Sequence, residues 1–262
     1  MSDKIRNPAV AGQFYNANPN ELKNDIIKYL SAATNQNIAP KAIIAPHAGY
    51  IYSGLTAGAA YVLLQNIKDK IKRVVLLGPS HRVYVRGFAF TDATHYNTPL
   101  GKVPLDTTAF AHASTLSHVQ ILNAAHAEEH SLEVHLPFLQ LTLDAFNLIP
   151  IVVGEASAAE VASVLDLFWG GAETLIVIST DLSHFENYAN AQTIDAQTCR
   201  HIENFNEQGL NDNSACGRIP VSGLLQLAHK NKMQIQTLDL KNSGDTAGTK
   251  DRVVGYGAWA LF

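Results

Sequence analysis

The chain is short of several things that would have narrowed its function at once. Its 262 residues include only two cysteines, Cys199 and Cys216, and neither lies in a CxxC pair. That rules out a disulfide framework of the secreted type. Apolar runs such as Val74-Val75-Leu76-Leu77 stop far short of the ~20 residues a membrane helix needs. The opening residues, MSDKIRNPAVAGQFY, lack the apolar stretch of a signal peptide, so a cytoplasmic location with no membrane contact is expected. Positive charge is also scarce: the net charge is −4, and no basic stripe marks a nucleic-acid partner. Repeats, low-complexity tracts and Pro/Gly/Ser-rich linkers are absent, so residues 1–262 read as one domain.

What is present is an apolar content of 47% in a chain long enough to bury a large core. Short, continuous, β-branched runs alternate with longer amphipathic ones. Lys41-Ala-Ile-Ile-Ala45, Arg73-Val-Val-Leu-Leu77, Leu148-Ile-Pro-Ile-Val-Val153 and Thr174-Leu-Ile-Val-Ile178 suit strands buried on both faces. Helical stretches are expected over 55–65, 156–169, 189–205 and 221–230, with further strands over 233–240 and 253–261. The alternation predicts an α/β fold with a central, mostly parallel sheet covered on both sides. The last two strands are expected to run antiparallel, which makes the sheet mixed.

The unusual residues fall where these strands end. Ala45 is followed by Pro46-His47, Leu77 by Gly78-Pro79-Ser80-His81, Ser179 by the run Asp181-Leu-Ser-His184, and Leu240 by the run ending in Asp245. Ligands of open α/β sheets bind beyond the carboxyl ends of the strands. Three histidines and one aspartate therefore have a place to meet. Taken singly, each of these histidines is more often a hydrogen-bonded residue than a ligand, and Asp245 could be a simple Asx-turn. Their convergence is what points to a metal. Two imidazoles and a carboxylate form the facial set of non-haem Fe(II) proteins, so Fe(II) is the expected ion, with Zn or Cu able to occupy the same set.

Other segments compete. His126-Ala-Glu-Glu-His130 fits the inverted zinc-peptidase pattern, without a distinct third ligand. His130 and His135 stand near a helix start, where one could serve the pocket as an acid or base, although His135 reads better as a packed residue. Cys216 precedes a helix whose dipole could stabilise a thiolate, yet small buried cysteines are common and the inert reading is favoured. Tyr50 and Tyr52, just after His47, are either pocket or packing aromatics. Cys199 sits mid-helix and carries no signal.

Ala45-Pro-His-Ala-Gly-Tyr50, Gly78-Pro-Ser-His81, Glu129-His-Ser-Leu-Glu-Val-His-Leu-Pro137, Asp181-Leu-Ser-His184 and Cys216-Gly-Arg218 jointly resemble the MEMO family. Its microbial members are called AmmeMemoRadiSam system protein B. The opening Arg6-Asn-Pro-Ala-Val-Ala-Gly-Gln-Phe-Tyr15 resembles that family's N-terminus as well. The resemblance implies a three-layer α/β/α fold like that of class III extradiol ring-cleaving dioxygenases. It implies His47 and His81 as metal ligands, with Asp245 where those dioxygenases carry a glutamate. His184 then matches the acid/base histidine, and His130 another histidine near the metal. By the same resemblance the expected ligand is a small diol or a peptide, and the expected partners are radical-SAM and AMMECR-type proteins. The Asp-for-Glu change puts ring cleavage itself in doubt. The rival expectation is a non-catalytic metal- and peptide-binding module.

Overall fold

The computed structural model describes residues 3–262. In chain order the first strands are β1 (Ile5–Arg6), β2 (Ala42–Ala45), β3 (Arg73–Pro79), β4 (Phe88–Phe90), β5 (His95–Thr98) and β6 (Gly101–Pro104). They are followed by β7 (Val119–Ile121), β8 (Asn147–Val153), β9 (Thr174–Ser179), β10 (His184–Glu186), β11 (Ile235–Asn242) and β12 (Val253–Leu261). The helices are α1 (Pro19–Ala32), α2 (Tyr50–Tyr61), α3 (Ala109–Ala113), α4 (Asn123–Ala127) and α5 (His130–Glu133). Four more, α6 (Leu136–Thr142), α7 (Ala158–Phe168), α8 (Tyr188–Glu203) and α9 (Arg218–Lys230), complete the set among the described residues.

A nine-stranded mixed sheet has the order β10-β12-β2-β9-β3-β8-β4-β7, with β11 paired to the other side of β12. Its centre, β2-β9-β3-β8, is parallel throughout. Both expected C-terminal strands are present, and β12 runs antiparallel to β2 and to β11. A small sheet of β1, β5 and β6 lies apart from it.

The three layers follow from side-chain alternation along the central strands. Ile43, Val74, Leu76, Leu148 and Val177 face one core, against α1, α2 and α6. Their neighbours Ile44, Val75, Leu77, Ile149 and Ile178 face the other, against α7, α8 and α9. All ten are essentially inaccessible to solvent, and burying each such side chain contributes roughly 1.5–3 kcal/mol. Because both faces are covered, these strands read as continuous apolar runs rather than alternating ones.

Helix α1 was not among the expected elements, although its start is written in the sequence. The Asn18 side chain accepts from the amides of Asn20 and Glu21, and Pro19 occupies the first helical position. Leu22, Ile26 and Leu30 then form its buried stripe. Helix α2 begins at Tyr50, earlier than the expected residue 55, and so follows His47 almost at once. No helix among the described residues is long and apolar enough to cross a membrane.

Candidate metal centre

The loops after β2, β3 and β9 lie side by side, because β9 is hydrogen-bonded between β2 and β3. His47 and His81 are thereby brought together, with ring centroids 5.1 Å apart. Two glycines permit the close approach of the neighbouring helices. A Cβ at Gly217 would stand 2.4 Å from the Ser179 carbonyl oxygen, and one at Gly78 would stand 2.8 Å from Ser131 Oγ. The first lets the start of α9 deliver Cys216; the second seats α5, and with it Glu129 and His130, against β3.

Hydrogen-bond counting fixes how the two imidazoles present themselves. Ser179 Oγ gives its one proton to the Ser131 carbonyl at 2.6 Å. The bond between Ser179 Oγ and His47 Nδ1, also 2.6 Å, must then be donated by the ring. His47 Nε2 is left with a free lone pair, and Cys216 Sγ lies 3.3 Å from it. His81 Nδ1 lies 2.8 Å from Glu129 Oε1. Burial alone would raise the Glu129 carboxyl, but hydrogen bonds from the His81 ring and from backbone amides hold it at about 2. An ionised Glu129 can only accept, so His81 donates from Nδ1, and Nε2 is the nitrogen it has left for a metal. The ligand atoms of His47, His81 and Cys216 all lie within 4.8 Å of one another. Ligands at about 2.0–2.3 Å from a tetrahedral centre stand roughly 3.5 Å apart, so a first-row ion fits this spacing with little adjustment.

Asp245 is not the third member. Among the described residues, the triads with metal-ligand spacing are His47–His81–Cys216 and His81–Glu129–His130. The Asp245 carboxylate instead accepts from Tyr188 Oη at 2.5 Å and from the Asn242 amide at 2.9 Å, closing a capping turn after β11. The physical reason is lateral distance. Strand β11 does run in the same direction as β2, so its end reaches the same edge, but β12 lies between them. Two strand spacings are roughly 10 Å, more than one aspartate side chain spans.

The remaining expected residues divide cleanly. The His130 ring stacks on His81 at 4.6 Å and meets His47 edge-on at 5.4 Å. Its Nδ1 is buried without a hydrogen-bond partner, and burial followed by the neighbouring His81 lowers its pKa to about 4. His184 lines the adjoining cavity beside Asp181 and His130. Tyr50 is a core residue whose hydroxyl donates to the Val134 carbonyl, whereas Tyr52 lines the cavity. His135 is buried against Tyr61, as its packed reading anticipated. His126 spends Nδ1 on Tyr96 Oη and Nε2 on the Ala89 carbonyl, which leaves nothing for an inverted zinc-peptidase site.

Sequence reasoning undervalued Cys216 and passed over Asp181 and Glu129 as site residues. Asp181 is buried, accepts the His47 amide proton at 2.8 Å and has Oδ2 4.0 Å from His47 Nε2. Burial pushes its carboxyl up to about 7. Burial, then Asp181, pushes the Cys216 thiol up to about 12, so without a cation the sulfur keeps its proton and donates it to His47 Nε2. A coordinated ion reverses that preference. The usable signal for Cys216 was its turn: a cysteine followed by a glycine that cannot tolerate a side chain, directly before a helix.

Residues 6–260 match the family described as Memo-like protein. The chain is 34% identical to a MEMO1 family protein of Methanosarcina mazei over 97% of its own length and 98% of that protein's. It is 35% identical to one from Aquifex aeolicus, with 97% of each covered. A memo-1 homolog of Caenorhabditis elegans is 29% identical, covering all of this chain and 84% of that one. The crystal structure of an uncharacterized Escherichia coli K12 protein superposes with a TM-score of 0.53 at 12% identity, over 82% of this chain and 98% of that one, which is a likeness of fold. The chain belongs to the Memo family.

Proposed function

We propose that this Memo-family protein binds one transition-metal ion through His47 Nε2, His81 Nε2 and Cys216 Sγ, beside a cavity that admits a small ligand. The observation that carries the reading is the pair of anchored Nδ1 atoms. Each imidazole is anchored through Nδ1, His47 by Ser179 and His81 by Glu129, while Cys216 Sγ lies 3.3 Å from His47 Nε2 and a ring nitrogen of His81 lies within 4.8 Å of both. Ligating histidines are typically held by just such a second bond.

The donor set bears on the ion. A carboxylate would have favoured Fe(II); a thiolate in its place favours thiophilic ions, so copper or zinc is preferred here to Fe(II). When bound by His47, His81 and Cys216, the ion would supply Lewis acidity or redox chemistry. The chain's own residues do the rest. His130 lines the cavity, and its Nδ1 stands 3.5 Å from Glu129 Oε1, so its other ring nitrogen is the one that can take a proton from a ligand hydroxyl; His184 stands on the same cavity wall. Asp181, whose carboxyl ionises near neutrality, lies within reach of the ligand's inner end. This constellation suits an oxidoreductase acting on a small hydroxylated molecule. The exposed Phe185 at the rim is the one feature that favours the rival reading, a peptide-binding module without turnover, in which radical-SAM and AMMECR-type proteins would be its partners.

Elemental analysis of protein purified without a histidine-rich tag tests the metal assignment. Near-stoichiometric metal is expected, with loss in His47→Ala. Full occupancy in that variant would overturn the ligand set. Oxygen uptake with a panel of aromatic diols separates the enzyme from the binding module.

A further inference from the structure

The cavity beside the candidate metal centre has a volume of about 670 Å³, within the range that holds a small organic ligand. Its inner end is polar, with His130 and Asp181, while its walls include Phe14, Tyr52 and Tyr256. Arg252 is the single lysine or arginine in the lining. Among the described residues it has neither a carboxylate partner nor a side-chain hydrogen bond. Its guanidinium carbon instead lies 5.0 Å over the Phe185 ring, at the cavity rim. Phe185 is 63% exposed and sits at φ 61, a left-handed conformation that a bulky aromatic residue seldom adopts. Strained backbone of this kind persists where the surrounding structure imposes it, here at the register shift between β10 and β12.

We propose that the cavity selects small aromatic ligands carrying one anionic group, a carboxylate or a phosphate, and that Arg252 is the residue that reads the charge. The proposal rests on the metal reading above and names the ligand class of that same site. The ligand's ring packs among the aromatic walls. Its neutral or hydroxylated end points to the inner wall, formed by His130 and Asp181. Its anion pairs with the planar guanidinium fork, whose five donors suit either oxyanion.

Calorimetric titration of the purified full chain with 4-hydroxybenzoate and 4-hydroxybenzamide tests this. Wild type should bind the carboxylate at least tenfold tighter than the amide. Arg252→Gln should bring the ratio close to one while leaving metal content unchanged, and Arg252→Lys should restore part of it. Phenyl phosphate against phenol, titrated alongside, decides which anion is preferred; loss of either preference in Arg252→Gln supports the assignment. A wild-type ratio near one, a ratio unaltered in Arg252→Gln, or no binding of any of the four probes overturns it. The two readings fail separately. Stoichiometric metal with no charge preference removes only the ligand class, and an Arg252-dependent preference in protein that takes up no metal removes only the metal site.

Discussion

Two pairs of histidines in this molecule differ in what their first ring nitrogen bonds to. His126 and His135 are inside the α/β core, each against a tyrosine hydroxyl, and no nitrogen of either is offered to a shared centre. His47 and His81 lie at the strand ends, each anchored through Nδ1 by a group that accepts its proton, and a ring nitrogen of each lies within 4.8 Å of the other's and of Cys216 Sγ. Burial alone does not separate the groups: His81 is exposed, but His47 is as inaccessible as the other two. The partner of the first nitrogen does, because it decides whether the second has a lone pair to give. A phenol can donate to one imidazole nitrogen and so leave the proton on the other, as at His135, whose Nε2 has no partner; Ser179, with its proton committed elsewhere, and ionised Glu129 cannot donate.

The largest expected effect comes from removing the sulfur. Cys216→Ser should lower metal affinity at least 100-fold, whereas Asp245→Asn should leave it unchanged, read by competition with a chromogenic chelator. The reverse result would restore the carboxylate set. Next comes Glu129→Gln, which keeps the volume but weakens the acceptor for His81 Nδ1. Outer-shell changes of this type typically cost 10–100-fold in affinity. An unchanged affinity would mean that the orientation of His81 is set by packing alone.

That contrast between Cys216 and Asp245 also marks how far the sequence could be read. The four central strands, the mixed sheet and the meeting of His47 with His81 were legible, because a parallel strand buried on both faces leaves an unmistakable apolar run and its end is where unusual residues gather. Strand order was not legible. Nothing in the residues of β11 says that β12 intervenes between it and β2, and so Asp245 seemed as near the imidazoles as any other loop residue. Cys216 was hidden for the opposite reason. It arrives from a helix start rather than a strand end, and a rule built on strand ends passes over it. Glu129 lay inside a pattern read for its histidines, of which His126 turned out to be core.

His126→Ala should act on the fold alone. It strands the Tyr96 hydroxyl and the Ala89 carbonyl in the core, a loss of about 1–3 kcal/mol for the partners left unsatisfied. Denaturant unfolding should record that loss while metal stoichiometry stays at the wild-type value. A parallel loss of metal would show that the two histidine groups are coupled, and the comparison would then describe one network.

The smallest effect is one of slope. Burial lowers the pKa of His126 to about 4 and that of His135 to about 3. Below the ordinary histidine value of 6.5 the unfolded chain takes up protons that the folded chain refuses, so stability falls as the pH drops from about 6.5 toward 4. Asp181 acts in the opposite sense, as does Asp195, raised by burial to about 6. The Asp181 carboxyl, raised to about 7, is protonated in the folded state while still ionised in the unfolded one, so acidification from 7 toward 3.8 relieves a cost. The lowered imidazoles, His47, His130 and His184 among them, outnumber these two carboxyls and set the net direction. Replacing the pair together, His135→Leu with Tyr61→Phe, removes one such imidazole and the hydroxyl that faces it. The slope of stability against pH between 6 and 4 should then shrink by up to one proton, about 1.4 kcal/mol per pH unit. Unfolding midpoints at pH 7, 6 and 5 measure this directly, and an unaltered slope would mean that His135 is charged in the folded protein, contrary to its sealed position.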